Sequence, residues 1–106
     1  RKGVKIAFGT DVGAPYLPHG SQAEEFECMV HDAGMKPEHA LQAATRVSAE
    51  TLHWADRLGT ITPGKLADII AVKGDPIKDI SVMRDVGFVM KDGAVCKNEF
   101  AEVSAK

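Results

Sequence analysis

The chain has 106 residues, 44% of them apolar, and a formal net charge of −2. That is one domain's worth of polypeptide with enough apolar residues for a core, and no basic cluster of the kind that marks nucleic-acid binding. No apolar run is long enough to cross a bilayer, and a chain opening on Arg1-Lys2-Gly3 rather than Met reads as cut at its start. Cys28 and Cys96 lie far apart in no metal or redox spacing. Two free thiols in a reducing compartment, with the cytoplasm favoured, are expected rather than a disulfide.

Ile6-Ala7-Phe8-Gly9-Thr10-Asp11 is a short apolar run that ends in Gly-Thr-Asp. It reads as a buried strand. A carboxylate just past the C-terminal end of such a strand is where α/β sheets and barrels keep their active groups. On pattern alone, an Asp11 that only bonds turn N–H groups is the more ordinary reading. The loop Val12–Gly20 that follows holds Pro15, Pro18 and two glycines. It is suited to lining a site. His19, at its far end, is a weak candidate for a substrate contact.

Ser21 and Glu24 have capping-box spacing and open a helix. Ala23, Phe26, Met29, Val30 and Ala33 share one face, and Gly34 stops the run. The remaining surface, with its acidic residues and His31, reads as a solvated face. Pro37 starts a second helix, in which Ala40, Leu41, Ala43, Ala44 and Val47 form a close-packing stripe and His39, Gln42 and Arg46 point away. Ser48 is expected to N-cap a third, short helix to about Arg57, with Ala49, Leu52 and Ala55 inward. Trp54 lies off that stripe and should pack elsewhere.

Beyond Leu58 the character changes. Pro63-Gly64 has type II turn chemistry, and Leu66–Val72 reads as a strand. Gly74-Asp75-Pro76 breaks that strand, and Asp79 to Asp85 is a linker or a single helical turn. Val86–Lys91, the Asp92-Gly93 turn and Ala94–Cys96 form a hairpin. No internal repeat or low-complexity segment is present. A lone strand at Ile6–Gly9 leaves backbone groups and edges unpaired, and two or three strands make a marginal sheet. The chain therefore reads as the end of something larger.

In order, the chain carries Gly9-Thr10-Asp11, then Ala40-Leu41…Ala43-Ala44-Thr45…Ala49, then Leu58-Gly59…Ile61…Pro63-Gly64-Lys65…Ala67-Asp68, then Gly74-Asp75-Pro76 and Asp92-Gly93. Each motif is weak alone. As an ordered set from Val4 to Cys96 they resemble the C-terminal portion of the metal-dependent amidohydrolase superfamily. His19-Gly20 followed by Ala23-Glu24…Met29-Val30 resembles its imidazolonepropionase-like branch, which includes zinc peptidases acting on Xaa-Pro or related dipeptides.

The resemblance implies an α/β fold. Residues 1–57 would be the last strand, active-site loop and closing helices of a (β/α)8 barrel, and residues 58–106 the C-terminal strands of a composite β-sandwich. It implies that Asp11 ligates a catalytic divalent metal, zinc in the first instance, and carries a proton from the attacking water to the leaving nitrogen. His19 would touch substrate, a small amide or dipeptide, whereas Lys65-Leu66-Ala67-Asp68 would have no catalytic duty.

The family's other ligands, a His-X-His pair among them, lie on earlier strands and are not in this sequence. Its four histidines include no His-X-His and no His-X-X-X-His. A zinc site takes about three or four protein ligands, so this chain alone is expected to bind no metal tightly and to be inactive. A barrel of this kind runs to about 250 residues. The expected partner is therefore the N-terminal part of the same enzyme, with no nucleic acid and no membrane. An alternative is a stand-alone, non-catalytic module. Under either reading, bare strand edges at Ile6–Gly9 and Val86–Lys91 should make the isolated chain self-associate.

Overall fold

The computed structural model describes residues 4–10 and 22–100. Helix α1, Glu24–Glu27, runs without a break into a wider, π-type turn, Cys28–Asp32. Phe26 and Met29 are buried on the expected face, and His31 is exposed as expected. Ala33, placed on the inner face by the spacing, is exposed. It belongs to the closing turn, where its N–H donates to the Cys28 carbonyl at 3.0 Å. Gly34 adopts φ 74°, the left-handed conformation that lets a chain leave a helix at no Cβ cost. Ser21, half of the expected capping box, lies outside the described residues.

Lys36 is extended, as a residue before proline must be, and Pro37 takes the first position of α2, Pro37–Gln42. This helix continues through a second wide turn, Ala43–Val47, into α3, Ser48–Thr51. The expected break at Ser48 does not occur. Its backbone is helical, and its hydroxyl donates to the Ala43 carbonyl at 2.6 Å while accepting from the Phe8 N–H at 3.2 Å. A serine satisfied this way sits inside a helix instead of capping one.

The helix also stops sooner than expected. His53 is left-handed at φ 63°, the His53 N–H donates to the Glu50 carbonyl, and the Trp54 N–H to the Ala49 carbonyl. That is a Schellman closure with histidine in the place usually held by glycine. Leu52, expected inward, is therefore 66% exposed on the last turn. Trp54 is exposed as well, and the Arg57 guanidinium lies 5.5 Å from its ring centroid.

Gly59 brings the outgoing chain back against this helix. A Cβ there would stand 2.6 Å from Ala49 Cβ, and the residue has φ 102°. Thr62-Pro63-Gly64-Lys65 is the expected turn, with Gly64 at φ 94° and the Lys65 N–H donating to the Thr62 carbonyl. The three strands, β1 Ile69–Val72, β2 Val86–Lys91 and β3 Ala94–Asn98, form one antiparallel sheet in the order β1-β2-β3, so Val86–Lys91, expected as a bare edge, is the central strand paired on both sides. β1 is shorter than the run 66–72 because Ala67 and Asp68 serve the next turn instead of a ladder. Asp92 and Gly93, at φ 50° and 81°, make the two-residue hairpin turn that matches strand twist. A 3-10 helix, Ile80–Arg84, fills the link between β1 and β2.

Phe26, Met29, Ala40, Ala43, Ile80 and Met83 form the core. The alanines let α1, α2 and the 3-10 helix approach closely, and Ile80 and Met83 plug the space between. Residues 6–9, expected as a buried strand, form no ladder among the described residues. Ile6 is 49% exposed, and Phe8 alone engages the core, its ring 4.7 Å from that of Phe26. No other described strand lies beside this run to pair with it, since β1, β2 and β3 pair only with one another.

Candidate functional site

Asp11 and His19, with all of the loop between them, lie outside the described residues. What the structure gives is the mounting on either side. The Lys5 ammonium is 3.0 Å from the Glu50 carboxylate, which also meets Arg46 at 3.4 Å. The Phe8 backbone is held by Ser48. The run 4–10 is thus tied to α3 at two points, Ser48 and Glu50. Lys5 hydrogen-bonding holds the Glu50 carboxyl below its usual range, with Arg46 adding to the effect. Sequence spacing carried no sign of Lys5–Glu50 or Phe8–Ser48, because both partners lie at least 40 residues apart.

Beside this support is a cleft of about 740 Å3 between residues 4–6 and the start of α2. Its walls are largely apolar, with Met35 and Val47, and its polar groups are Lys5, Lys36, His39 and Gln42. No group of three His, Cys, Asp or Glu side chains that could hold a metal ion occurs among the described residues. The described part of the chain therefore offers no divalent metal centre of its own. Desolvation, then the surrounding Glu25, Asp32, Glu24 and Glu27, push the Cys28 thiol up from its usual range. Both cysteines are free and exposed.

Asp68 has a structural task. Its carboxylate accepts from the Asp92 N–H at 2.7 Å and from Lys91 Nζ at 3.1 Å, while the Gly93 N–H donates to the Ala67 carbonyl. The strand-leading Ala67-Asp68 therefore clamps the Asp92-Gly93 turn. The Asp92 N–H first, then Lys91, hold the Asp68 carboxyl below its usual range. Asp79 is likewise lowered, by the Ser81 hydroxyl and N–H, as the cap of the 3-10 helix. In the Gly74-Asp75-Pro76 motif, the Asp75 carboxylate accepts from the Ile77 N–H at 2.9 Å and sets that turn.

With the geometry in view, the relatives give it a setting. The structure superposes on a Xaa-Pro dipeptidase, crystallised with methionine in its active site, with a TM-score of 0.86. The two are 52% identical, over 92% of this chain and 23% of the dipeptidase. Ochratoxinase of Aspergillus niger is 35% identical over 101 residues, 92% of this chain and 20% of its own length. Its crystal structure superposes with a TM-score of 0.78. Adenine deaminase of Clostridium botulinum is 34% identical over 67 residues, 60% of this chain and 11% of the deaminase. The chain thus spans about a fifth of the length of the hydrolases it matches over most of its own. The model of the amidohydrolase family matches residues 1–96, and the chain belongs to that family.

Proposed function

We propose that the chain is the part of a metal-dependent amidohydrolase that brings Asp11 to the catalytic mouth of a (β/α)8 barrel. Residues 1–57 are the last strand, loop and closing helices, and residues 58–106 are the C-terminal strands of the composite β-sandwich. The whole enzyme hydrolyses a C–N bond in a small amide or dipeptide, with Asp11 as metal ligand and proton carrier and His19 against the substrate. A divalent ion, zinc in the first instance, supplies an activated water, and its remaining ligands belong to the N-terminal part. The observation that carries this reading is the 52% identity to a Xaa-Pro dipeptidase of which the chain covers 23%.

The test replaces the matching segment of that dipeptidase with this chain and follows metal-dependent hydrolysis of Xaa-Pro dipeptides. The hybrid should be active, Asp11→Ala should abolish turnover, and the isolated chain should be inactive. Metal-dependent hydrolysis by the isolated chain, or a hybrid indifferent to Asp11→Ala, would overturn the assignment. A second reading, a stand-alone module that associates through its strand edges, draws on residues 6–9, which pair with no described strand.

A further inference from the structure

Thr45, Ser48 and Thr51 stand three residues apart along the continuous helical run from α2 to α3. Each hydroxyl donates to a carbonyl of its own helix: Thr45 to Leu41 at 2.8 Å, Ser48 to Ala43 at 2.6 Å and Thr51 to Val47 at 3.0 Å. Among the described residues only the Ser48 oxygen also accepts from outside the helix, taking the Phe8 N–H at 3.2 Å from 40 positions away. Ser48 is half-buried, whereas the two threonines are exposed.

A hydroxyl has one proton to give and two lone pairs. With its proton on the Ala43 carbonyl, Ser48 Oγ is fixed as an acceptor, which is the role a backbone N–H requires. Phe8 in turn has a single N–H. A strand residue would spend it on a neighbouring strand, and Phe8 spends it on a helix. Its ring is held by another helix, packed against the core with its centroid 4.7 Å from that of Phe26. Backbone and side chain of Phe8 are therefore both placed by helices. The second tie of this run joins Glu50 to a Lys5 side chain that is 71% exposed, and an exposed ion pair holds a backbone weakly. Three residues beyond Phe8 the sequence reaches Asp11.

We propose that Ser48 is a positioning residue for the hydrolysis, acting through the Phe8 N–H on the polypeptide that carries Asp11. The inference rests on the reading above, in which Asp11 ligates the metal and carries the proton. A catalytic group displaced by about 1 Å can cost about a hundredfold in rate. Loosening the run that leads to Asp11 therefore lowers kcat and leaves substrate affinity largely alone.

The dipeptidase hybrid gives the test, with kcat and KM measured well below the melting midpoint. Ser48→Ala should lower kcat about tenfold or more and leave KM within about twofold. Ser48→Thr should restore most of kcat, because it keeps the hydroxyl and Ser48 borders an open groove of about 360 Å3. Thr51→Ala removes the same kind of internal helix bond without a link to Phe8, and should leave kcat within about twofold. The role is overturned if Ser48→Ala keeps its kcat, if Ser48→Thr is as slow as Ser48→Ala, or if Thr51→Ala does equal damage. A hybrid indifferent to Asp11→Ala overturns the reading above, and the positioning role with it. In a hybrid that does depend on Asp11, an unchanged kcat in Ser48→Ala removes Ser48 alone and keeps the enzyme. Amide exchange in this chain by itself decides the bond independently of turnover. The Phe8 N–H should exchange about tenfold faster in Ser48→Ala, with Phe26 and Met29 unchanged. An unchanged rate at Phe8 overturns the proposal even where kcat falls.

Discussion

The helical region and the sheet solve the problem of stability in different ways. Around α1, α2 and the 3-10 helix the chain buries its own apolar side chains, and Ala40, Ala43 and Ile80 are all but sealed. The sheet is held instead by its turns. Asp68 grips the hairpin, Gly93 bonds back to Ala67, and the Phe100 ring lies over Gly87. Every residue of β3 is exposed, and Ile70 and Ile61 face outward. The helical half closes over its own core, whereas the sheet leaves an apolar surface uncovered among the described residues. A sheet of three strands with one uncovered face is marginal alone, so polar clamps fix its register while its apolar surface stays open.

The contrast can be broken most sharply at Ile80. Ile80→Ala removes the largest fully buried side chain, and chemical denaturation should register a loss of about 3–4 kcal/mol. A loss under about 1 kcal/mol would mean that the helical region is no more finished than the sheet. Next is Gly59→Ala, where both the 2.6 Å approach to Ala49 and the positive φ oppose a side chain. About 2–3 kcal/mol should be lost, with the loop 58–65 loosening first in hydrogen exchange.

Asp68→Asn should act on the sheet alone, speeding exchange in β2 and β3 while leaving α1 and α2 unchanged. The pH dependence has a definite sign. A carboxyl whose folded pKa is depressed contributes stability above its unfolded value, near 4, and loses it as pH falls through the folded value. The hairpin should therefore open as the solution is acidified below about pH 4, and Asp68→Asn should remove that part of the acid response. The smallest effect is expected at His53→Gly. It relieves a left-handed histidine but loosens the unfolded chain, for a net gain of less than about 1 kcal/mol in thermal unfolding.

The sequence was most legible where the physics is local. Pro37, Gly34, Pro63-Gly64 and Asp92-Gly93 each impose a backbone conformation on their own neighbours, and each turn or helix boundary is where it was expected. The alanine stripe was equally readable from its spacing. Ser48 and His53 were not, because their behaviour depends on distant or unusual partners. A serine bonded to Phe8 stays helical, and a histidine takes a position that glycine normally signals. Leu52 followed from that error, since the early Schellman closure turned it out of the core. The strand reading of residues 6–9 rested on their apolar character, but pairing needs a neighbour, and no described strand lies beside them. The Asp68 clamp was hidden as well, since its partner lies 24 residues away across the hairpin. The role proposed for Asp11 rests on an ordered set of motifs and not on any local feature.

Zinc titration of the isolated chain by calorimetry, with Asp11→Ala beside it, tests the central claim most directly. If Asp11 is one ligand of a centre completed by other polypeptide, neither protein should show a tight, stoichiometric site. A tight site in the chain that vanishes with Asp11→Ala would contradict the account and make the chain a metal-binding unit in its own right.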